Sequence, residues 1–223
     1  VHGQAVNCCN LGFLFLLLDD QARARSYFEL YLELNARVDN RLGDGYAHSG
    51  LARLAAESGD AAVAEEHYLR ALGIFKELGA ERNYLDVRLE QAGFLAATGR
   101  ENEAWALMDE VYDRVGYDTL TLTELELLFR ITERRPLTGA EVARLRRVVE
   151  RAEKLIDRER FAVERLDLIA VLARLYGLLG EAAARERHTR EAAGLLESIE
   201  ARIGDDEHRR GFRRRLQRLG YLD

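Results

Sequence analysis

Residues 51–68 read LARLAAESGDAAVAEEHY, and three features of that stretch decide the fold. Ser58-Gly59-Asp60 stops one helical pattern and starts another. A small residue, Ala52, stands before the stop, and a second, Ala64, stands after it. The large Tyr68 lies one turn beyond Ala64. This order returns every forty residues. The turn recurs as Thr98-Gly99-Arg100 and Thr138-Gly139-Ala140, slips by one residue at Leu179-Gly180-Glu181, and has its first instance at Leu18-Asp19-Asp20. The small column after the turn reads Ala24, Ala64, Ala104, Arg144, Ala184. The large column reads Phe28, Tyr68, Met108, Val148, His188, and the column before the turn reads Gly12, Ala52, Ala92, Thr132, Leu172. Small side chains let paired helix backbones approach, and the large one fills the space left between them. Glycine suits the left-handed conformation that ends a helix. A period of this length marks a stacked array of hairpins.

The bulk composition agrees. Of 223 residues, 48% are hydrophobic, which is enough to bury a core and too many for a disordered chain despite 32% charged residues. Pro136 is the one proline, and a chain rich in Ala, Leu, Glu and Arg favours long helices. Strict two-residue alternation is missing, so no sheet is expected. The expected fold class is all-α. Helices are expected over 2–18, 21–38, 41–58, 60–78, 81–98, 100–115, 120–134, 138–157, 160–179, 181–203 and 205–219, with a loop at Gly116-Tyr117-Asp118-Thr119. Thr138 and Glu141 form a capping-box signature, and Asp205, Asp206 and Glu207 suit the positive end of the last helix. The net charge of -6 argues against nucleic acid as the main partner. Adjacent Cys8 and Cys9 could be bridged only with strain and are read as reduced packing residues of a cytoplasmic protein. The apolar run Leu11 to Leu18 lacks the basic flank of a signal peptide and is too short to span a membrane. The chain opens on Val1 rather than methionine and is read as part of a longer protein.

The columns resemble the tetratricopeptide (TPR) repeat family. Leu11, Gly12, Phe15, Ala24 and Phe28 carry the likeness in the first repeat. Leu51, Ala52, Gly59, Ala64, Tyr68 and Ala71 carry it in the second, Ala92, Leu95, Gly99, Ala104 and Met108 in the third, and Leu172, Ala173, Tyr176, Gly180 and Ala192 in the fifth. The fourth departs: Arg144 replaces the alanine, and Arg135-Pro136 cuts its first helix short. The family period is about 34 residues, so forty implies longer helices or longer loops. The resemblance implies one right-handed superhelical solenoid over 1–223, with repeats near 1–40, 41–80, 81–119, 120–158 and 159–203 and a capping helix over 204–223. More narrowly, Arg70 to Gly79 and the ending from Leu195 to Phe212 look like the long-period repeats of bacterial multidomain signalling and transcriptional regulators. That likeness implies a sensory or regulatory arm in a cytoplasmic bacterial protein.

Catalytic signatures are missing. His2, His48, His67, His188 and His208 are scattered, and no zinc-type cysteine spacing, phosphate loop or nucleophile elbow occurs. His67 is read as a solvated surface residue. The chain is expected not to be an enzyme and to need no cofactor or metal. The family likeness implies instead a groove lined by the first helix of each hairpin. By position, the lining is Phe13, Leu17, Tyr46, Ser49, Arg53, Asp86, Glu90 and Gly93, then Asp167, Ala170 and Arg174. Such a groove seats a peptide or a partner domain, with an apolar anchor near the first repeat and charge contacts from Arg53 and Arg174. Ser49, Arg53 and Asp86 stand where chaperone-binding members carry a carboxylate clamp, so that role is disfavoured. Two other readings stand beside it. The apolar first helix, expected to be covered by preceding repeats or a second copy, could make the chain a dimerisation module. The arginine-rich last helix (Arg209, Arg210, Arg213, Arg214, Arg215, Arg218) could bind nucleic acid, although a cap stabilised by its own acidic neighbours is the favoured reading.

Overall fold

The computed structural model describes residues 2–115, 121–132, 135–156, 159 and 161–221, so the loop expected at 116–119 lies outside the described residues. Eleven helices and no strand occur among the described residues: α1 His2–Leu17, α2 Gln21–Ala36, α3 Arg41–Glu57, α4 Ala61–Glu77, α5 Glu81–Ala97, α6 Glu101–Val115, α7 Thr121–Thr132, α8 Gly139–Ile156, α9 Ala162–Leu178, α10 Ala182–Glu200 and α11 Asp206–Arg218. Helices adjacent in sequence pack as pairs, α1 with α2, α3 with α4, α7 with α8 and α9 with α10. The chain forms two compact units, Val1–Phe94 and Leu95–Asp223, and the division falls inside α5.

The forty-residue period contains a shorter one. Left-handed residues recur every twenty positions, at Asp19 (φ 60°), Asp39 (φ 50°), Gly59 (φ 80°), Gly79 (φ 62°) and Gly99 (φ 88°). These first five links between helices therefore share one left-handed residue at a fixed place. At the third, the amide of Gly59 donates to the Ala56 carbonyl at 3.2 Å and that of Asp60 to Ala55 at 2.9 Å. This is the hydrogen-bond pattern of a Schellman motif, which satisfies the last carbonyls of a helix. Asp60 then turns to the next helix, its Oδ1 accepting the Val63 amide at 3.3 Å. Asp20 and Asn40 do the same for Arg23 and Gly43. One residue thus closes a helix and caps its successor. With links this short, the residues beyond a 34-residue period go into the helices, and α3, α4 and α5 each have 17 residues.

In the first unit, glycines set the closeness of packing. Phe28 is fully buried, and its ring lies against both Gly12 of α1 and Gly50 of α3. A Cβ would sit 2.6 Å from that ring at Gly12 and 2.3 Å at Gly50, far inside van der Waals contact. Phe75 fills the notch at Gly45 in the same manner. Phe13 meets Phe28 edge-on at 5.0 Å. Cys8 and Cys9 are free and buried with Ala5, Tyr31 and Ala47, and burial pushes the Cys9 thiol up to about 11. They are packing residues. The first helix is less covered than its composition suggests. Ala5, Gly12 and Leu16 are buried, but Val6 and Leu14 are 42% and 45% exposed, because α1 packs on α2 and α3 alone within this unit.

In the second unit, polar staples do more of the joining. α7 is described over Thr121–Thr132, and Arg135-Pro136 follow it in the chain. Arg135 reaches Glu101 of α6 at 3.0 Å and Glu141 of α8 at 2.9 Å. Thr138 and Glu141 form the expected capping box: the Thr138 amide donates to Glu141 at 2.8 Å, and the Glu141 amide donates to the Thr138 hydroxyl at 3.3 Å. Arg144, in the alanine column, lies 4.3 Å from the Trp105 ring centroid and pairs with Asp109. Every member of the large column is buried, His188 included. That imidazole stacks on Tyr176, and its Nε2 lies 2.8 Å from Glu153, which also accepts from the Tyr176 hydroxyl and from Arg187 at 2.7 Å. No helix of the described residues is long and apolar enough to cross a membrane.

Candidate interaction surface

Within the first unit, four of the residues named for a groove on α1, α3 and α5 touch one another. Ser49 of α3 donates to Glu90 of α5 at 2.9 Å, and Arg53, one turn along, pairs with the other oxygen of Glu90 at 3.7 Å. The Arg53 guanidinium lies 5.6 Å from the Phe13 ring centroid, within cation–π range. Phe13, Arg53, Glu90 and Ser49 therefore make one connected patch from α1 to α5. Tyr46, 37% exposed, takes a hydrogen bond from Asn83 and packs edge-on to Phe75 at 5.5 Å. Asp86 is exposed and Leu17 half-buried.

The electrostatics of this patch have separable causes. Burial raises the Glu90 carboxyl above its ordinary range, and Asp86 adds to the rise. Arg53 and the Ser49 hydroxyl oppose it. Burial also raises Asp86, against the pull of Arg82. A cation beside either carboxylate favours its ionised form, as Arg53 does for Glu90 and Arg82 for Asp86. The half-buried Phe13 and Leu17 supply apolar area beside them.

The second unit treats its two expected lining residues differently. Asp167 is buried, paired with the equally buried Arg215 of α11 through two contacts of 3.2 and 3.5 Å. It is removed from any open surface, which corrects its reading as a groove residue. The helix that follows covers this part of α9. Arg174 stays exposed, with its guanidinium 4.7 Å from the Phe129 ring and a hydrogen bond to the Gly220 carbonyl. Ala170 is buried.

Three arginines of α11 are drawn inward or along their own neighbourhood. Arg213 pairs with Glu200, Arg209 with Asp206, and Arg215 with Asp167. Phe212 and Leu216 bury the apolar stripe, and Asp205 caps the helix by accepting the His208 amide at 2.9 Å. His67 also differs from expectation. It is half-buried against His48 rather than solvated, because Arg25, His48 and Arg70 crowd its side of α4. No family model matches the chain, and no curated protein matches it.

Proposed function

We propose that this chain is a TPR-like solenoid, right-handed and built of about five hairpins with α11 as its cap, and that it acts as a protein-binding scaffold. The observation carrying this reading is the connected patch of Phe13, Ser49, Arg53 and Glu90 on α1, α3 and α5, which combines apolar and charged contacts, with Tyr46 and Asp86 on the same helices. Recognition of a peptide or helix uses that combination, with apolar anchors for affinity and charges for register. The raised Asp86 and Glu90 favour a ligand bearing Arg or Lys. Likeness of Arg70–Gly79 to bacterial regulators supports a regulatory arm in a cytoplasmic signalling protein.

A random-peptide phage library panned on the purified chain tests this. Enriched peptides are expected to contain basic residues and to lose about tenfold or more in affinity on Asp86→Arg or Tyr46→Ala. Enrichment of peptides indifferent to both changes, or none at all, overturns it. A second reading, self-association through α1, is favoured by the exposed Val6 and Leu14. A dimer in light scattering that Leu14→Glu dissolves would support it.

A further inference from the structure

His48 of α3 and His67 of α4 face each other across the second hairpin. Their Nδ1 atoms are 3.0 Å apart, and the rings lie 5.1 Å apart at 31°. Both are half-buried, so the ring edges remain within reach of water. An imidazole nitrogen binds a metal in its uncharged form. Left to themselves, the two nitrogens share one hydrogen bond, with one ring as donor.

The same spacing is a metal bite. With metal–nitrogen bonds of about 2.0–2.1 Å, two nitrogens 3.0 Å apart subtend about 95° at the ion. A tetrahedral ion would spread them to about 3.3 Å. A near-right angle is the relation of neighbouring ligands in square-planar and tetragonal sites, the geometry of Cu²⁺ and Ni²⁺. The donors sit on two helices joined by a fully bonded turn, with Ala52, Ala55, Ala64 and Ala71 buried in that hairpin, so the bite is held by packing. We propose that His48 and His67 form a two-imidazole chelate for a divalent copper or nickel ion, clasping α3 to α4. Among the described residues no third His, Cys, Asp or Glu joins them, so water completes the coordination. The charges facing the pair are Arg25 from α2 and Glu66 and Arg70 from α4. Glu66 holds Arg70 at 2.6 Å and offsets part of its charge. Arg25 is exposed and screened by salt.

The test titrates Cu²⁺ and Ni²⁺ separately into the whole chain, carrying no histidine tag, at pH 7.5 against a competing chromophoric chelator. One equivalent is expected to bind, with a tetragonal nitrogen-ligated signal for Cu²⁺ in electron paramagnetic resonance. Affinity should fall about tenfold or more in His48→Gln and in His67→Gln, and should persist in His208→Gln. Circular dichroism establishes that each variant keeps its helices. The ion should also raise the melting temperature of the unmodified chain and of His208→Gln but not of the other two, since only a folded site is stabilised by its ligand. No uptake at millimolar ion, or equal uptake in the unmodified chain and both hairpin variants, overturns the proposal.

Discussion

Phe28 and His188 hold the same place in the repeat, 160 residues apart, and the two units bury them by different chemistry. Phe28 needs only room, and Gly12 and Gly50 make it. His188 needs partners, and Glu153, Tyr176 and Arg187 gather around one carboxylate oxygen and its ring to supply them. The repeat position dictates size and burial, while polarity is settled by whatever the neighbouring helices offer. A hydrocarbon packed into a notch fails when the notch is filled. A polar group packed among partners fails when a partner is removed.

That contrast can be broken at several points. The largest effect is expected at Phe28→Ala, about 3–5 kcal/mol of lost stability for an aromatic removed from a close-packed site. Gly50→Ala should cost about 1–3 kcal/mol from overpacking, and much less in a Phe28→Leu background. A double-mutant cycle by urea unfolding checks this, and additive costs would show that the ring and the glycine are not coupled.

On the polar side, Asp167→Ala should cost about 3–5 kcal/mol, because it strands the buried Arg215. The paired change Asp167→Leu with Arg215→Met should restore most of it. If the single and double variants are equally unstable, the ion pair is not what couples α9 to α11.

Acid should separate the units by pH. His48 is held near 4 in the folded chain, below its unfolded value of about 6.5. Its contribution is complete above about pH 6.5 and is lost as pH falls through about 4. Glu141 is lowered to about 2, first by the Arg135 hydrogen bond and then by Thr138, against the opposing effect of burial. Its contribution is complete above about pH 4.5 and is lost toward pH 2. Each should amount to about 1–2 kcal/mol after allowance for solvent. Hydrogen exchange at pH 7, 5 and 3 is expected to show α3 and α4 losing protection before α8, and the reverse order would refute the assignment. The smallest effect concerns the joints. Asp39→Gly should gain about 0.5 kcal/mol by relieving a left-handed aspartate, whereas Gly59→Ala should lose about 1 kcal/mol. Thermal melts of the two variants decide it.

The helices were legible because their signals are local. Gly59, Gly99 and Gly180 end helices, and Thr138 with Glu141 starts one. The twenty-residue metre was harder to see, because Asp19 and Asp39 stand in places that glycine fills later and alternate links look unlike. The pairings that shape the candidate surfaces were not legible. Asp167 with Arg215, His48 with His67, and Ser49 with Glu90 depend on the rotation of one helix against another. A periodic pattern sets which face is buried but leaves that rotation free over a few tens of degrees. Hence Phe13, Arg53 and Glu90 were named without the contacts that join them, and Asp167 without the helix that covers it.

The joints at Asp20, Asn40 and Asp60 carry a consequence for how such a chain can change in length. Each serves two helix ends at once, so an extra residue there would uncap one helix and unlatch the other. Small insertions are barred at these points. Length can change at these points only by whole building blocks, and a copied forty-residue segment would leave all three latches intact.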